Sequence, residues 1–137
     1  MNQKLNKILL VDDNEANNYL HKLVIAEAGV AEHIVDRPDG RAALEYLESE
    51  SEESLPDLIF LDINMPRMNG WEFLDAYNEL PEELQSAVVI VMLTTSVFGK
   101  DRERAEALPS LSGFLSKPLT EEDLLKVIRK HFPDRFN

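Results

Sequence analysis

Two kinds of segment alternate along the chain. Short, unbroken apolar runs occur at 7–11 (KILLV), 57–61 (DLIFL), 87–93 (AVVIVML) and 111–115 (LSGFL), with a weaker one at 32–35 (EHIV). A strand with one wet face alternates apolar and polar residues, whereas a strand covered on both faces reads as a continuous apolar run, so these runs predict a parallel sheet between two covering layers. Between them lie stretches with helical spacing. In 15–28 the residues Tyr19, Leu20, Leu23, Val24 and Ala28 mark one apolar face, and Gly29 is placed to end the helix. Segment 39–48 aligns Ala43, Leu44 and Leu47, and segment 70–80 offers Trp71, Phe73, Leu74 and Tyr77. Segment 99–108 is the least apolar, with Ala105, Ala107 and Leu108, and segment 120–132 carries Leu124, Leu125, Val127, Ile128 and Phe132. Strand and helix in turn, five times over, predict right-handed βαβ units closed into a single three-layer α/β sandwich. In the last helix, Thr120 is a good N-cap, Glu121, Glu122 and Asp123 follow it, and Lys126, Arg129, Lys130 and His131 lie toward the far end. Those charges match the helix dipole and need no other role.

In an open parallel sheet, sites form outside the carboxyl ends of the strands, so chemistry is expected in the residues that follow each run. Asp12-Asp13 follow the first, Asp62 the third, Thr94-Thr95-Ser96 the fourth and Ser116-Lys117-Pro118 the fifth. Taken one at a time, each has an ordinary explanation. Acids after a strand often cap the next helix, threonine is a strand former, aspartate suits turns, and a lone lysine is usually solvated. Taken together these explanations weaken, because three carboxylates gathered at one edge repel each other and destabilise the empty fold. A hard divalent cation relieves that repulsion, and carboxylates with a backbone carbonyl and water are the donors Mg²⁺ prefers. A metal beside a nucleophilic carboxylate, with an ammonium and a hydroxyl opposite, is an arrangement for phosphoryl transfer. The carboxylate attacks phosphorus in line while the cations and the hydroxyl neutralise the equatorial oxygens.

Composition narrows the classes further. A chain of 137 residues with 44% hydrophobic and 29% charged residues is expected to form one soluble domain, residues 1–137, with its core over about 6–133 and no output domain. With no cysteine there is neither a disulfide framework nor a thiolate metal site. The first apolar run breaks at Asp12-Asp13, too soon for a signal peptide or a membrane span, so a cytoplasmic protein with no membrane association is expected. Twenty-six acidic residues against fourteen basic ones give a net charge of −12, which repels phosphate backbones and argues against a nucleic-acid partner. The glutamates of 48–53 read as a solvated helix end and loop.

The set VDDN (11–14), FLDINMP (60–66), NGWEFL (69–74), MLTTS (92–96) and FLSKP (114–118) resembles a response-regulator receiver domain of two-component signalling, the CheY-like kind that stands alone. The likeness runs from about residue 6 to 133. It implies a flavodoxin-like, doubly wound five-stranded sheet of order 2-1-3-4-5. It implies further that Asp62 is the phospho-acceptor, that Asp13 and Asp62 ligate Mg²⁺ directly (Mn²⁺ substituting), that Asn64 lends its backbone carbonyl and that Asp12 binds through water. Thr94 matches the switch hydroxyl and Lys117 the phosphate-pairing lysine, with a cis bond between Lys117 and Pro118. Phe114 matches the aromatic residue that swings inward on activation. Asn64, Thr95 and Ser96 occupy the positions that tune phosphoryl lifetime, and neither Asn64 nor Ser96 supplies a strong general base. The implied phosphodonor is a histidine kinase or histidine phosphotransfer protein. Output is by protein contact or phosphate relay, with a phosphorylation-dependent homodimer among the outputs the resemblance allows. Catalysis is confined to the domain's own phosphorylation and slow self-dephosphorylation.

The chain departs from that pattern at four places. Phe114 lacks the hydroxyl of the commoner tyrosine, Thr95 is bulkier than the usual small residue, Pro109-Ser110 stands where a glycine is frequent, and Leu119 replaces a phenylalanine. None removes a group the chemistry requires. Two unrelated readings fit less well. A haloacid-dehalogenase-like phosphatase wants a second aspartate two residues after the nucleophile, where Asn64 stands. A flavodoxin-like FMN carrier wants a phosphate-cradling loop where Asp12-Asp13 would repel phosphate. A degenerate receiver regulated without phosphorylation would have no need of Asp12, Asp13, Asp62, Thr94 and Lys117 together.

Overall fold

The computed structural model describes residues 4–49, 55–86, 88–95, 100–108 and 111–134, with the side chain of Ser86 left aside. The first two strand–helix pairs are β1 (Leu5–Val11), α1 (Glu15–Ala28), β2 (Ala31–Arg37) and α2 (Gly40–Ser49). β3 (Leu58–Leu61) precedes α3 (Gly70–Tyr77) and a short α4 (Glu82–Ser86). β4 (Val89–Thr94), α5 (Lys100–Glu106), β5 (Gly113–Ser116) and α6 (Glu121–His131) complete the described chain. The strands form one sheet of order β2-β1-β3-β4-β5, parallel at every pairing, which is the flavodoxin-like order.

Successive side chains of a strand point to opposite faces, and here they feed two separate cores. Leu9 and Val11, Ile59 and Leu61, and Ile90 and Met92 pack with residues of α2, α3 and α5. Ile8 and Leu10, Leu58 and Phe60, and Val91 and Leu93 pack with Ile25 of α1 and Leu124, Val127 and Ile128 of α6. This is why the sequence runs are unbroken: each face of the sheet has its own cover.

Two expectations are corrected. The segment read as one helix over 70–80 ends at Tyr77, and a sixth helix, α4, precedes β4. Pro81 explains the break: a residue before proline is pushed out of the helical region, and the Pro81 carbonyl then accepts from the amides of Leu84 and Gln85 to start a new turn. The second correction concerns α1. Its buried residues are Asn18, His21 and Ile25, with Val24 and Ala28 half-buried against the same core as expected, while Tyr19, Leu20 and Leu23 are 66%, 46% and 42% exposed. Both stripes have helical spacing. Asn18 and His21 tolerate burial because each hydrogen-bonds the backbone of a strand-end loop, so polarity alone did not mark the outer face. The turn at Pro109-Ser110, Ser96 and most of the 48–53 stretch lie outside the described residues.

Candidate functional site

The register of the sheet sets the site. Val11 of β1 pairs with Leu61 of β3, so Asp12 and Asp62 leave adjacent strands side by side, and the Asp62 amide donates to the Val11 carbonyl at 3.0 Å. Continuing the strand alternation places both on the α1/α6 side of the sheet. Asp12 is 4% and Asp62 7% exposed, while Asp13 is open to solvent. Carboxylate oxygens of Asp12, Asp13 and Asp62 all lie within 4.8 Å of one another. β5 delivers Lys117, whose Nζ stands 2.5 Å from Asp12 Oδ2 and 3.4 Å from Asp62 Oδ2. β4 ends on Thr94, which is fully buried and whose carbonyl accepts from the Lys117 amide at 2.9 Å. The Lys117–Pro118 bond is cis.

Asn64 and Thr95 are exposed. Phe114 is half-buried and lines an open groove of about 300 Å³ with Arg102, Ala105 and Glu106 of α5 and Leu111. The structure thus brings Asp12, Asp13, Asp62 and Lys117 into one cluster and joins Thr94 to it through the backbone. Phe114 belongs instead to the α5–β5 surface.

Three carboxylates face one ammonium here. Burial pushes the Asp62 carboxyl above its ordinary 3.8; Lys117 pulls it back and Asp12 pushes it further up. The Asp62 Oδ1 accepts from its neighbour's amide, Ile63, at 2.9 Å, and Asp12 Oδ1 accepts from Asn14 at 2.9 Å, so one oxygen of each is tethered. The donor set is oxygen only and carries excess negative charge, which fits a hard divalent cation held by Asp12, Asp13 and Asp62.

The loop after Asp62 is held by contacts that the reading of strand ends passed over. Asn69 caps α3 in a reciprocal box with Glu72, for which the N-x-x-E spacing was a legible signal. The Gly70 amide donates to the Ile63 carbonyl at 2.8 Å, and a Cβ at residue 70 would stand 2.6 Å from the Asp62 carbonyl oxygen. Arg67, in the left-handed region at φ 65°, reaches buried Asp39 at 3.4 Å, and Asp39 in turn accepts from Ala42 in the first turn of α2. From α5, the Arg104 guanidinium lies 4.5 Å from the centre of the Trp71 ring.

Residues 8–129 match the description of the response regulator receiver domain. The chain belongs to that family. It is 34% identical over 125 residues to the probable methanogenesis regulatory protein FilR2 of Methanothrix harundinacea (strain 6Ac), covering 90% of this chain and 79% of that protein. It is 32% identical to hybrid signal transduction histidine kinase B of Dictyostelium discoideum, of whose length it spans only 7%. The crystal structure of a two component response regulator from Cytophaga hutchinsonii superposes with a TM-score of 0.89 at 30% identity, over 96% of this chain and 99% of that one. As a receiver domain, the protein is a signalling module and not an enzyme in the ordinary sense. No helix among the described residues is long and apolar enough to cross a membrane.

Proposed function

We propose that this receiver accepts a phosphoryl group on Asp62, in the cytoplasm, from a histidine kinase or histidine phosphotransfer protein, with Mg²⁺ as cofactor. The observation that carries the reading is the convergence of Asp12, Asp13 and Asp62 with Lys117. When bound, Mg²⁺ would supply positive charge for the phosphoryl oxygens, and Mn²⁺ suits the same oxygen donors. Asp13 and Asp62 would ligate it directly, Asn64 through its carbonyl and Asp12 through water. The chain's own residues do the rest. An Asp62 oxygen bonds to phosphorus as the P–N bond of the donor phosphohistidine breaks, and the imidazole leaves with a proton. Lys117 then pairs with the phosphoryl oxygens, and the Thr94 hydroxyl turns to them, biasing the α5–β5–α6 face where Phe114 lies. Asn64, Thr95 and Ser96 tune the lifetime of the product.

Incubating the protein with acetyl phosphate and Mg²⁺ should raise its intact mass by one phosphoryl group, and neither Asp62→Ala nor chelation of the metal should permit the gain. No gain in the wild type under this or another small phosphodonor would point to regulation without phosphorylation.

The phosphodonor is a protein, so it must cover the rim of the site. α1 is capped by Asn14, next to Asp13, and presents exposed Tyr19, Leu20 and Leu23 about one to two turns along. An apolar face beside the acidic rim suits the body of such a donor. Leu20→Glu is expected to slow transfer from a phosphotransfer domain competent on the wild type by at least about tenfold. The rate with acetyl phosphate, which needs no docking face, should be unchanged; equal losses with both donors would place Leu20 in folding instead.

A further inference from the structure

α1 turns two polar side chains inward where apolar ones would be ordinary. Asn18 is 4% exposed and His21 2%. Asn18 Nδ2 donates to the Asp12 carbonyl at 2.9 Å, and His21 Nε2 accepts from the Leu119 amide at 3.3 Å. Neighbouring turns of one helix therefore hold the backbones of two loops, and those loops carry the Asp12–Lys117 ion pair. Lys117 is braced on both sides: its own amide bonds the Thr94 carbonyl, and two residues on, across Pro118, the buried Leu119 amide bonds His21.

An imidazole can accept from an amide only through an unprotonated nitrogen. Accepting from the Leu119 amide requires a neutral ring with its proton on Nδ1, and burial, then the nearby Lys117 ammonium, lower the His21 pKa from 6.5 in the same direction, against the pull of Asp12. Apolar residues at 18 and 21 would fill the same space beside Phe60 and Leu10 while anchoring neither loop. Lysine is a flexible chain, and where its ammonium rests depends on where its backbone is fixed.

We propose that His21 is a positioning residue for phosphoryl transfer: it pins the Lys117–Leu119 turn to α1 so that the lysine ammonium is held against Asp12 and Asp62, as Asn18 pins the Asp12 turn. The proposal rests on the reading of Asp62 as the phospho-acceptor. A displacement of about 1 Å in such a group can cost about 100-fold in rate.

The test compares His21→Leu, which removes the acceptor, with His21→Gln, whose amide oxygen reaches the place of Nε2. At saturating Mg²⁺, His21→Leu should take up phosphate from acetyl phosphate at least about tenfold more slowly than the wild type, and His21→Gln within about threefold of it. In metal-free protein, ¹⁵N NMR should find the His21 proton on Nδ1, with the Leu119 amide slow to exchange in wild type and His21→Gln and fast in His21→Leu. Equal rates in all three proteins, a glutamine variant as slow as the leucine one, or a proton on Nε2 would overturn the proposal. Should His21→Leu fail to fold, His21→Asn, too short to reach Leu119, takes its place and should be slow. A wild type that gains no phosphate defeats the reading of Asp62 instead, and the NMR comparison still decides whether His21 holds Leu119.

Discussion

Gly70→Ala is expected to cost the protein both stability and phosphoryl acceptance. The new methyl would stand 2.6 Å from the Asp62 carbonyl oxygen and 3.0 Å from the Ile63 Cα, and both are backbone atoms at the end of a strand buried on both faces. No side chain can swing aside to admit it. Overpacking of this kind costs about 1–3 kcal/mol, and a clash against backbone belongs at the top of that range. For a chain of this size about 3 kcal/mol corresponds to a fall in Tm of roughly 10 °C. The relief available is to push the start of α3 away or to rotate the peptide after Asp62, and either re-aims the carboxylate. The uptake rate from acetyl phosphate should fall by about 100-fold or more. Gly29→Ala is the control: Gly29 sits at φ 67° at the end of α1 with nothing near its missing Cβ. It should lose about 1 kcal/mol to left-handed strain and phosphorylate normally. Wild-type stability and uptake in Gly70→Ala would show that α3 is not docked on the Asp62 backbone.

Asp62→Asn is expected to stabilise the metal-free protein at neutral pH. A carboxyl whose folded pKa lies above its unfolded value binds its proton more readily in the native state. Its contribution is then fully present below the unfolded value and is lost as pH rises from about 3.8 through the raised folded value. At pH 7 the ionised Asp62 is therefore a net cost to the fold, in spite of Lys117. Asparagine removes that cost and keeps an oxygen for the Ile63 amide. Thermal unfolding in EDTA should give a higher Tm for the variant at pH 7, with the gap closing toward pH 4. Mg²⁺ should reverse the order. At a tenfold excess over its dissociation constant a ligand adds about 1.4 kcal/mol, roughly 4–6 °C here, and only the protein with all three carboxylates should receive it in full. A variant no more stable than wild type at any pH in EDTA would mean that Lys117 fully offsets the cluster.

The strand-end chemistry was legible because the topology does the gathering. Once unbroken apolar runs indicate parallel strands, every polar residue just past a run is delivered to the same edge, and Asp12, Asp62 and Lys117 could be grouped without any distance. The capping of α6 by Thr120 and the end of α1 at Gly29 were equally local signals. What stayed hidden depends on how elements meet. Counting apolar residues placed Val24 and Ala28 on the core side correctly but turned Tyr19, Leu20 and Leu23 inward wrongly, since Asn18 and His21 are acceptable inside only because the Asp12 carbonyl and the Leu119 amide wait for them. The close approach of Gly70 to Asp62 is likewise a distance between two elements, and no local pattern encodes it.

The stacking of Arg104 on Trp71 has a practical consequence. Trp71 is the only tryptophan of the chain, it follows Gly70 directly, and the cation over its ring comes from α5. Indole emission responds to the charge over its face. The protein therefore carries its own optical gauge between the loop that follows Asp62 and the helix that borders the Phe114 groove, and movement of one against the other can be followed in solution without attaching a dye.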